Sequence, residues 1–140
     1  LRAIETTGQL AEIISKAVPA SARRKKHPAR RSFQAIRIAV NREFEEIEAL
    51  LEQIPVLMSS GGRVVIISFH SLEDRLIKQT FAKWEDPCEC PREFPICVCG
   101  KKALGKRPYR KVIEASDEEV EENSRARSAK LRVFEFGGVG

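Results

Sequence analysis

Residues 63–74, Arg-Val-Val-Ile-Ile-Ser-Phe-His-Ser-Leu-Glu-Asp, constrain the fold more than any other stretch of the chain. An unbroken apolar run, Val64 to Ile67, gives way abruptly to His70, Ser71, Glu73 and Asp74. The run is short, β-branched and preceded by Gly61-Gly62, which predicts a strand buried on both faces of a parallel sheet. Ser71 then reads as a helix N-cap, with Asp74 at the third helical position completing a capping-box-like pair. Strand, polar turn and helix start together place His70 at the carboxyl edge of a sheet, where open α/β folds bind their ligands.

The flanking segments alternate between clear periodicity and none. Thr6 and Gln9 match a capping box, followed by Leu10, Ile13, Ile14 and Ala17 at helical spacing, and Pro19 ends that helix. Residues 21–31 lack an apolar face and form a basic connector. A long helix is expected from about Ser32, with Phe33, Ile36, Val40, Phe44, Ile47 and Leu51 on one stripe and Pro55 stopping or kinking it. The helix from Ser71 to about Trp84 should turn Leu72, Ile77, Phe81 and Trp84 inward. From Asp86 to Lys111 periodicity disappears, and this stretch holds all four cysteines and four of the seven prolines, so a long loop or a metal-bound excursion is expected. Lys111 to Glu114 reads as a short strand, and Ser116 with Glu119 as the cap of a brief acidic helix that Asn123 terminates. Residues 128–136 alternate, with Ala129, Leu131 and Val133 on one side and Lys130 and Arg132 on the other. They predict a last strand, antiparallel and near an edge; Gly137 to Gly140 form a tail.

Composition narrows the class. A chain of 140 residues is about one domain, and 42% hydrophobic residues suffice for a core despite 32% charged ones. The net charge of +5 and a pI near 9.2 favour a polyanionic partner, nucleic acid first. No apolar stretch approaches a membrane span and no signal peptide is evident, so a cytoplasmic protein without membrane attachment is expected. The cysteines should then be thiols or metal ligands.

Charge is clustered. Arg23, Arg24, Lys25, Lys26, Arg30 and Arg31 place six cations in nine residues, a density suited to phosphate contact with folded RNA, against the plainer reading of a solvated loop. Arg37 and Asn41 lie one helical turn apart, placed to touch RNA or to buttress the sheet edge. Lys101, Lys102, Lys106, Arg107, Arg110 and Lys111 form a second basic stretch in which Tyr109 is available to stack on a base. Arg125, Arg127, Lys130 and Arg132 extend it. Cys88-x-Cys90-x6-Cys97-x-Cys99 offers four thiolates, enough for a tetrahedral structural zinc site, although common zinc ribbons place two residues inside each pair. Free thiols are the alternative.

Several long motifs resemble one family. His27-Pro28-Ala29-Arg30-Arg31-Ser32-Phe33-Gln34-Ala35-Ile36-Arg37-Ile38-Ala39-Val40-Asn41 is similar to the segment before the fifth strand in bacterial ribosomal RNA cytosine-N4 methyltransferases of the RsmH (MraW) type. Gly61-Gly62-Arg63 with Ser68-Phe69-His70-Ser71-Leu72-Glu73-Asp74-Arg75 resembles that strand and the helix after it. Arg125-Ala126-Arg127-Ser128-Ala129-Lys130-Leu131-Arg132-Val133 resembles the closing strand, and the Cys88–Cys99 region with Gly100-Lys101-Lys102 is also similar. The resemblance implies an α/β fold: the carboxyl-terminal half of a Rossmann-like class I methyltransferase sheet, with the end of a helical insertion. Residues 1–31 would be the end of the insertion and the basic connector. Residues 32–140 would be the carboxyl-terminal part of the methyltransferase domain, with a Cys-rich loop at 86–111.

The resemblance further implies S-adenosylmethionine-dependent N4-methylation of a cytidine in small-subunit ribosomal RNA. Members of the family run to roughly twice this length, as a doubly wound domain plus an insertion would. Their cofactor site lies on a glycine-rich loop and acidic residues of the first half. None of Gly8, Gly61, Gly62, Gly100, Gly105, Gly137, Gly138 and Gly140 follows a strand as such a loop should. The chain is therefore expected to be a carboxyl-terminal portion, inactive alone, whose partners are the ribosomal RNA and the missing amino-terminal half. By itself it should be unstable, aggregation-prone or dimeric. His70 would accept a proton or orient the base, and Glu73 or Asp74 would hold the amine; helix capping by Ser71 and Asp74 is the plainer reading. The competing function is a non-catalytic RNA-binding module, zinc-stabilised through the cysteines. A relic of a truncated gene is a third.

Overall fold

The last strand organises the sheet. The computed structural model describes residues 3–19, 27–91 and 93–137, which divide into two units, 1–46 and 47–140. The strands all lie in the second unit: β1 (Arg63–Ser68), β2 (Gly105–Lys106), β3 (Ile113–Glu114) and β4 (Lys130–Phe136). β1 runs antiparallel along one edge of β4, from Arg63 opposite Glu135 to Ser68 opposite Lys130. β2 and β3 pair with β4 as well, both antiparallel. β4 was expected near an edge; among the described strands it is the central one, because residues 105–114 return as two short strands to pair with it. At β2 the backbones approach so closely that a Cβ on Gly105 would lie 2.0 Å from the Glu135 carbonyl oxygen, and only glycine fits.

In the first unit, α1 (Thr7–Ala17) begins with the expected box: Gln9 N–H donates to Thr6 Oγ1 at 3.2 Å, and Thr6 N–H to Gln9 Oε1 at 3.3 Å. The single long helix expected next is two, α2 (Arg30–Asn41) and α3 (Glu43–Leu57), the latter belonging from Ile47 onward to the second unit, and they are broken at Arg42 in the left-handed conformation with φ 52°. The break is bridged by side chains. Arg37 donates to both Glu43 oxygens at 2.8 and 3.0 Å, and Asn41 Nδ2 donates to Glu43 Oε1 at 3.2 Å. The continuous stripe fails as a consequence: Ile36 and Val40 are exposed, whereas Ile38 is buried. Pro55 does not end α3. It lies in the last turn and removes only its own donor, and Met58 N–H still reaches Ile54 O at 3.0 Å.

Gly61, at φ +82°, turns the chain into β1 as expected, and its N–H donates to Phe136 O at 2.7 Å. α4 (Ser71–Glu85) then packs on one face of the sheet. Its N-cap is His70, one residue before the expected Ser71. This shifts Glu73 to the third helical position, where its carboxylate receives the backbone N–H groups of Phe69 (3.2 Å) and His70 (3.4 Å). The same shift frees Asp74 from capping. Leu72 is exposed, contrary to expectation, while Ile77, Phe81 and Trp84 are buried as expected. They form the core of this unit with Leu51 and Ile54 of α3 and Phe134 and Phe136 of β4. Ring centroids of Phe81, Trp84, Phe134 and Phe136 lie 5.0–5.4 Å apart in five contacts, each contributing about 0.5–1.5 kcal/mol beyond area burial.

β1 is apolar on both faces as the sequence predicts, yet only one is covered. Val64 and Ile66 pack on the core, while Val65 and Ile67 are 55% and 54% exposed and Phe69 continues their row. Its edge away from β4 has no strand partner among the described residues, and the expected parallel pairing is absent among them.

The face of β4 that carries Phe134 and Phe136 also carries Arg132, whose guanidinium grips Asp74 of α4: Nε to Oδ1 at 2.6 Å and Nη2 to Oδ2 at 3.0 Å. Both side chains are nearly buried. The Arg132 hydrogen bonds hold the Asp74 carboxyl below its usual range, against the opposing effect of burial. Removing one partner of such a pair costs about 3–5 kcal/mol, so Arg132→Leu should lower the chemical-denaturation stability by that order. A depressed folded pKa stabilises fully above the unfolded value of about 4 and is lost as pH falls through the folded one. Stability of the parent chain should therefore fall on acidification below about pH 5, and Arg132→Leu should flatten that dependence; equal slopes in the two proteins would refute it.

Candidate functional site

The helix start after β1 brings together residues with opposite fates. His70, extended at φ −133° and ψ 157°, lies just past the strand's carboxyl end. Its Nε2 is 2.9 Å from Glu73 Oε1, with both side chains mostly buried. Glu73 thus holds the backbone of the turn and the imidazole at once. Asp74 points elsewhere: besides Arg132, it has Lys130 Nζ at 3.9 Å from Oδ2. Of the three residues singled out from sequence, His70 and Glu73 form a couple at the sheet edge, and Asp74 anchors helix to strand. Below them Ser68 Oγ is buried with no hydrogen-bond partner among the described residues.

This arrangement can orient a planar hydrogen-bonding ligand and take up or release a proton through the imidazole, which Glu73 steadies. On the sheet face away from α4, a separate cleft of about 110 Å³ is lined by Ile67, Ile113, Ala115, Ala129 and Leu131 together with Glu114 and Glu119, and neither His70 nor Glu73 lines it.

The basic residues separate by whether a carboxylate already holds them. Arg107 is committed to Glu85, its N–H and Nε donating at 2.9 Å each, which draws the Glu85 carboxyl downward. Lys101 pairs with Glu89. Lys106 and Arg63 flank Glu135 across the sheet at 3.3 and 2.8 Å, Arg37 and Asn41 bind Glu43, and Lys130 and Arg132 face Asp74. Arg30, Arg31, Lys102, Tyr109, Arg110, Lys111, Arg125 and Arg127 are exposed. Arg23, Arg24, Lys25 and Lys26 lie outside the described residues. The Asp74–Arg132 and Glu85–Arg107 pairs were not legible in the sequence, since each joins residues far apart in the chain; the alternation that sets Arg132 in register with Phe134 and Phe136 was the one available signal.

The four cysteines converge. Cys97 Sγ lies 3.5 Å from Cys88, 3.8 Å from Cys90 and 3.4 Å from Cys99, and the Cys88–Cys99 distance is 4.0 Å. Backbone N–H groups of Glu89 and Lys101 pull the Cys99 thiol down to about 6. The Cys90 N–H favours the Cys88 thiolate but is outweighed by the neighbouring Cys97 and Cys90 sulfurs, which push Cys88 up to about 12.

The sequence profile of the MraW methylase family matches residues 1–137. Among curated proteins, the chain is 58% identical over 132 residues to a ribosomal RNA small subunit methyltransferase H of Symbiobacterium thermophilum. It is 54% identical over 133 residues to that of Acetivibrio thermocellus and 55% over 130 to that of Clostridium botulinum. These alignments cover 93–94% of the chain but 42% of each relative, so it spans less than half their length. With its α/β fold and a profile match over nearly its whole length, the chain belongs to the MraW methylase family.

Proposed function

We propose that this chain is the carboxyl-terminal portion of an S-adenosylmethionine-dependent enzyme that methylates N4 of a cytidine in small-subunit ribosomal RNA. One observation supports the reading: a member of this methylase family has a polar His70–Glu73 couple at the carboxyl end of a strand whose far face and far edge are left uncovered by the described residues. Val65, Ile67 and Phe69 then meet the amino-terminal part of the enzyme, each large side chain contributing about 1.5–3 kcal/mol when covered. The residues here do not fit the cofactor's nucleoside. Gly61 and Gly62 precede β1, and the space at Gly105 is filled by Glu135, so the cofactor site is assigned to the amino-terminal part.

S-adenosylmethionine supplies a methyl group on a sulfonium. The exocyclic amine of cytosine attacks weakly because its lone pair is delocalised into the ring, so the chain's task is to position and polarise it. In our reading Glu73 would accept a hydrogen bond from the N4 amine, and His70 would take the proton released as the N–C bond forms and the methyl–sulfur bond breaks to leave a neutral thioether. Asp74 acts as a positioning residue: clamped by Arg132, it fixes the helix turn that carries both. A zinc ion on the cysteines has no part in the transfer, since a sulfonium needs no Lewis acid. The exposed Arg30, Arg31, Lys102, Arg110, Lys111, Arg125 and Arg127, together with Arg23, Arg24, Lys25 and Lys26, give the RNA phosphates their contacts, and Tyr109 stacks on a base. No helix among the described residues is long and apolar enough to cross a membrane.

Joined to the amino-terminal part of the Symbiobacterium relative, the chain should transfer labelled methyl groups to small-subunit ribosomal RNA, recovered as N4-methylcytidine after digestion. The chain alone should transfer none. A joined protein that binds this RNA but yields no methylcytidine would establish the RNA-binding module instead.

In the joined enzyme, His70→Asn keeps a good N-cap residue and should lower kcat by about 10²-fold with KM for RNA little changed. Unchanged kcat in a variant of unaltered melting temperature would remove His70 from the chemistry.

A further inference from the structure

The loop between α4 and β2 has no core of its own. Phe94, Ile96 and Val98 are all exposed, the last two by more than 70%. Its exit is pinned by Leu104 N–H to Trp84 O at 2.8 Å, but residues 87–103 must be held by something other than apolar burial. Lys101 and Glu89 form an ion pair within it, and the other convergent feature of its described side chains is the four sulfurs.

We propose that Cys88, Cys90, Cys97 and Cys99 bind a single zinc ion that clasps this loop. A tetrahedral zinc with sulfur at 2.3 Å requires sulfur–sulfur edges of about 3.8 Å. The four edges given above, 3.4 to 4.0 Å, bracket that value, and all four sulfurs lie within 4.8 Å of one another. A disulfide needs about 2.05 Å, and all four cysteines are free thiols. Each Cys-x-Cys arm contributes two sulfurs to the cluster, and between the arms Phe94 N–H donates to Pro91 O at 3.1 Å. The Val98 N–H donates to Cys90 Sγ at 3.3 Å, a bond that stabilises a thiolate sulfur while leaving lone pairs for a metal. Four protein ligands leave no open position, so the ion is structural. Among soft, tetrahedral four-sulfur sites zinc and iron are the candidates. Bound zinc would hold Ile96, Val98 and Lys102 in a fixed exposed array where an unclasped loop would scatter them.

The test is metal analysis of the purified 140-residue chain after dialysis. About one zinc per chain is expected, falling below a tenth in Cys97→Ser. Should that variant fail to fold, titration of the parent chain with cobalt reads the same site: intense visible bands of tetrahedral cobalt thiolate should appear and vanish when one equivalent of zinc is added. Chelation should speed proteolytic cleavage within 88–99 several-fold. Fewer than about 0.2 zinc per chain with no cobalt spectrum, a mass lower by four hydrogens from two disulfides, or iron in place of zinc would each overturn the proposal. Zinc content is independent of methyl transfer, so none of these outcomes bears on the proposed methyltransferase.

Discussion

The docking of α4 onto β4 governs the second unit, and it works by two different forces along one line. At the helix start a bidentate Asp74–Arg132 pair sets direction and register. Further along, Phe81 and Trp84 meet Phe134 and Phe136 and supply most of the apolar burial. An ion pair this well formed contributes specificity more than stability, because desolvation offsets much of its attraction. Apolar contacts are less selective. Together they fix which turn of the helix stands beside which residue of the strand, and thereby where His70 sits.

Two adjacent carboxylates consequently have different chemistry. Glu73 and Asp74 are neighbours in sequence, but successive helix positions diverge by about 100°. Glu73 turns to the strand end and the imidazole; Asp74 turns to the strand face and the guanidinium. A strong partner leaves Asp74 an anion and a strut, while Glu73 remains beside the one imidazole at the sheet edge. The same logic sorts the cations: where a carboxylate is folded against the base of a side chain, as with Arg107 on Glu85, the charge is spent on tertiary structure. Arg30, Arg31, Lys102, Lys111, Arg125 and Arg127, by contrast, are exposed.

Much was legible in residue order because it is local. The α1 box, the Gly61 turn, β1, the inward Ile77, Phe81 and Trp84, and the Ser116 cap all follow from contacts within a few residues. The convergence of four cysteines was foreshadowed by their spacing, which forces each pair together. The break at Arg42 escaped notice because the apolar period runs through it, and nothing marks a left-handed arginine in sequence. The N-cap at His70 rather than Ser71 was missed because Ser71 is the better intrinsic cap. Glu73, reaching back to the Phe69 and His70 N–H groups, decided it.

Residue order by itself determined most of the elements, the family to which they belong, and the polar cluster at the end of an apolar strand, since short-range sterics and periodicity act within a few residues. Tertiary structure alone decided that β4 is central among the described strands, that Asp74 belongs to Arg132, and that one face of β1 is left uncovered by the described residues. Those outcomes depend on pairing between residues distant in the chain, such as Asp74 and Arg132. Partner choice at that distance is set by which surfaces the packed sheet and helix bring together, and no local signal in the chain encodes it.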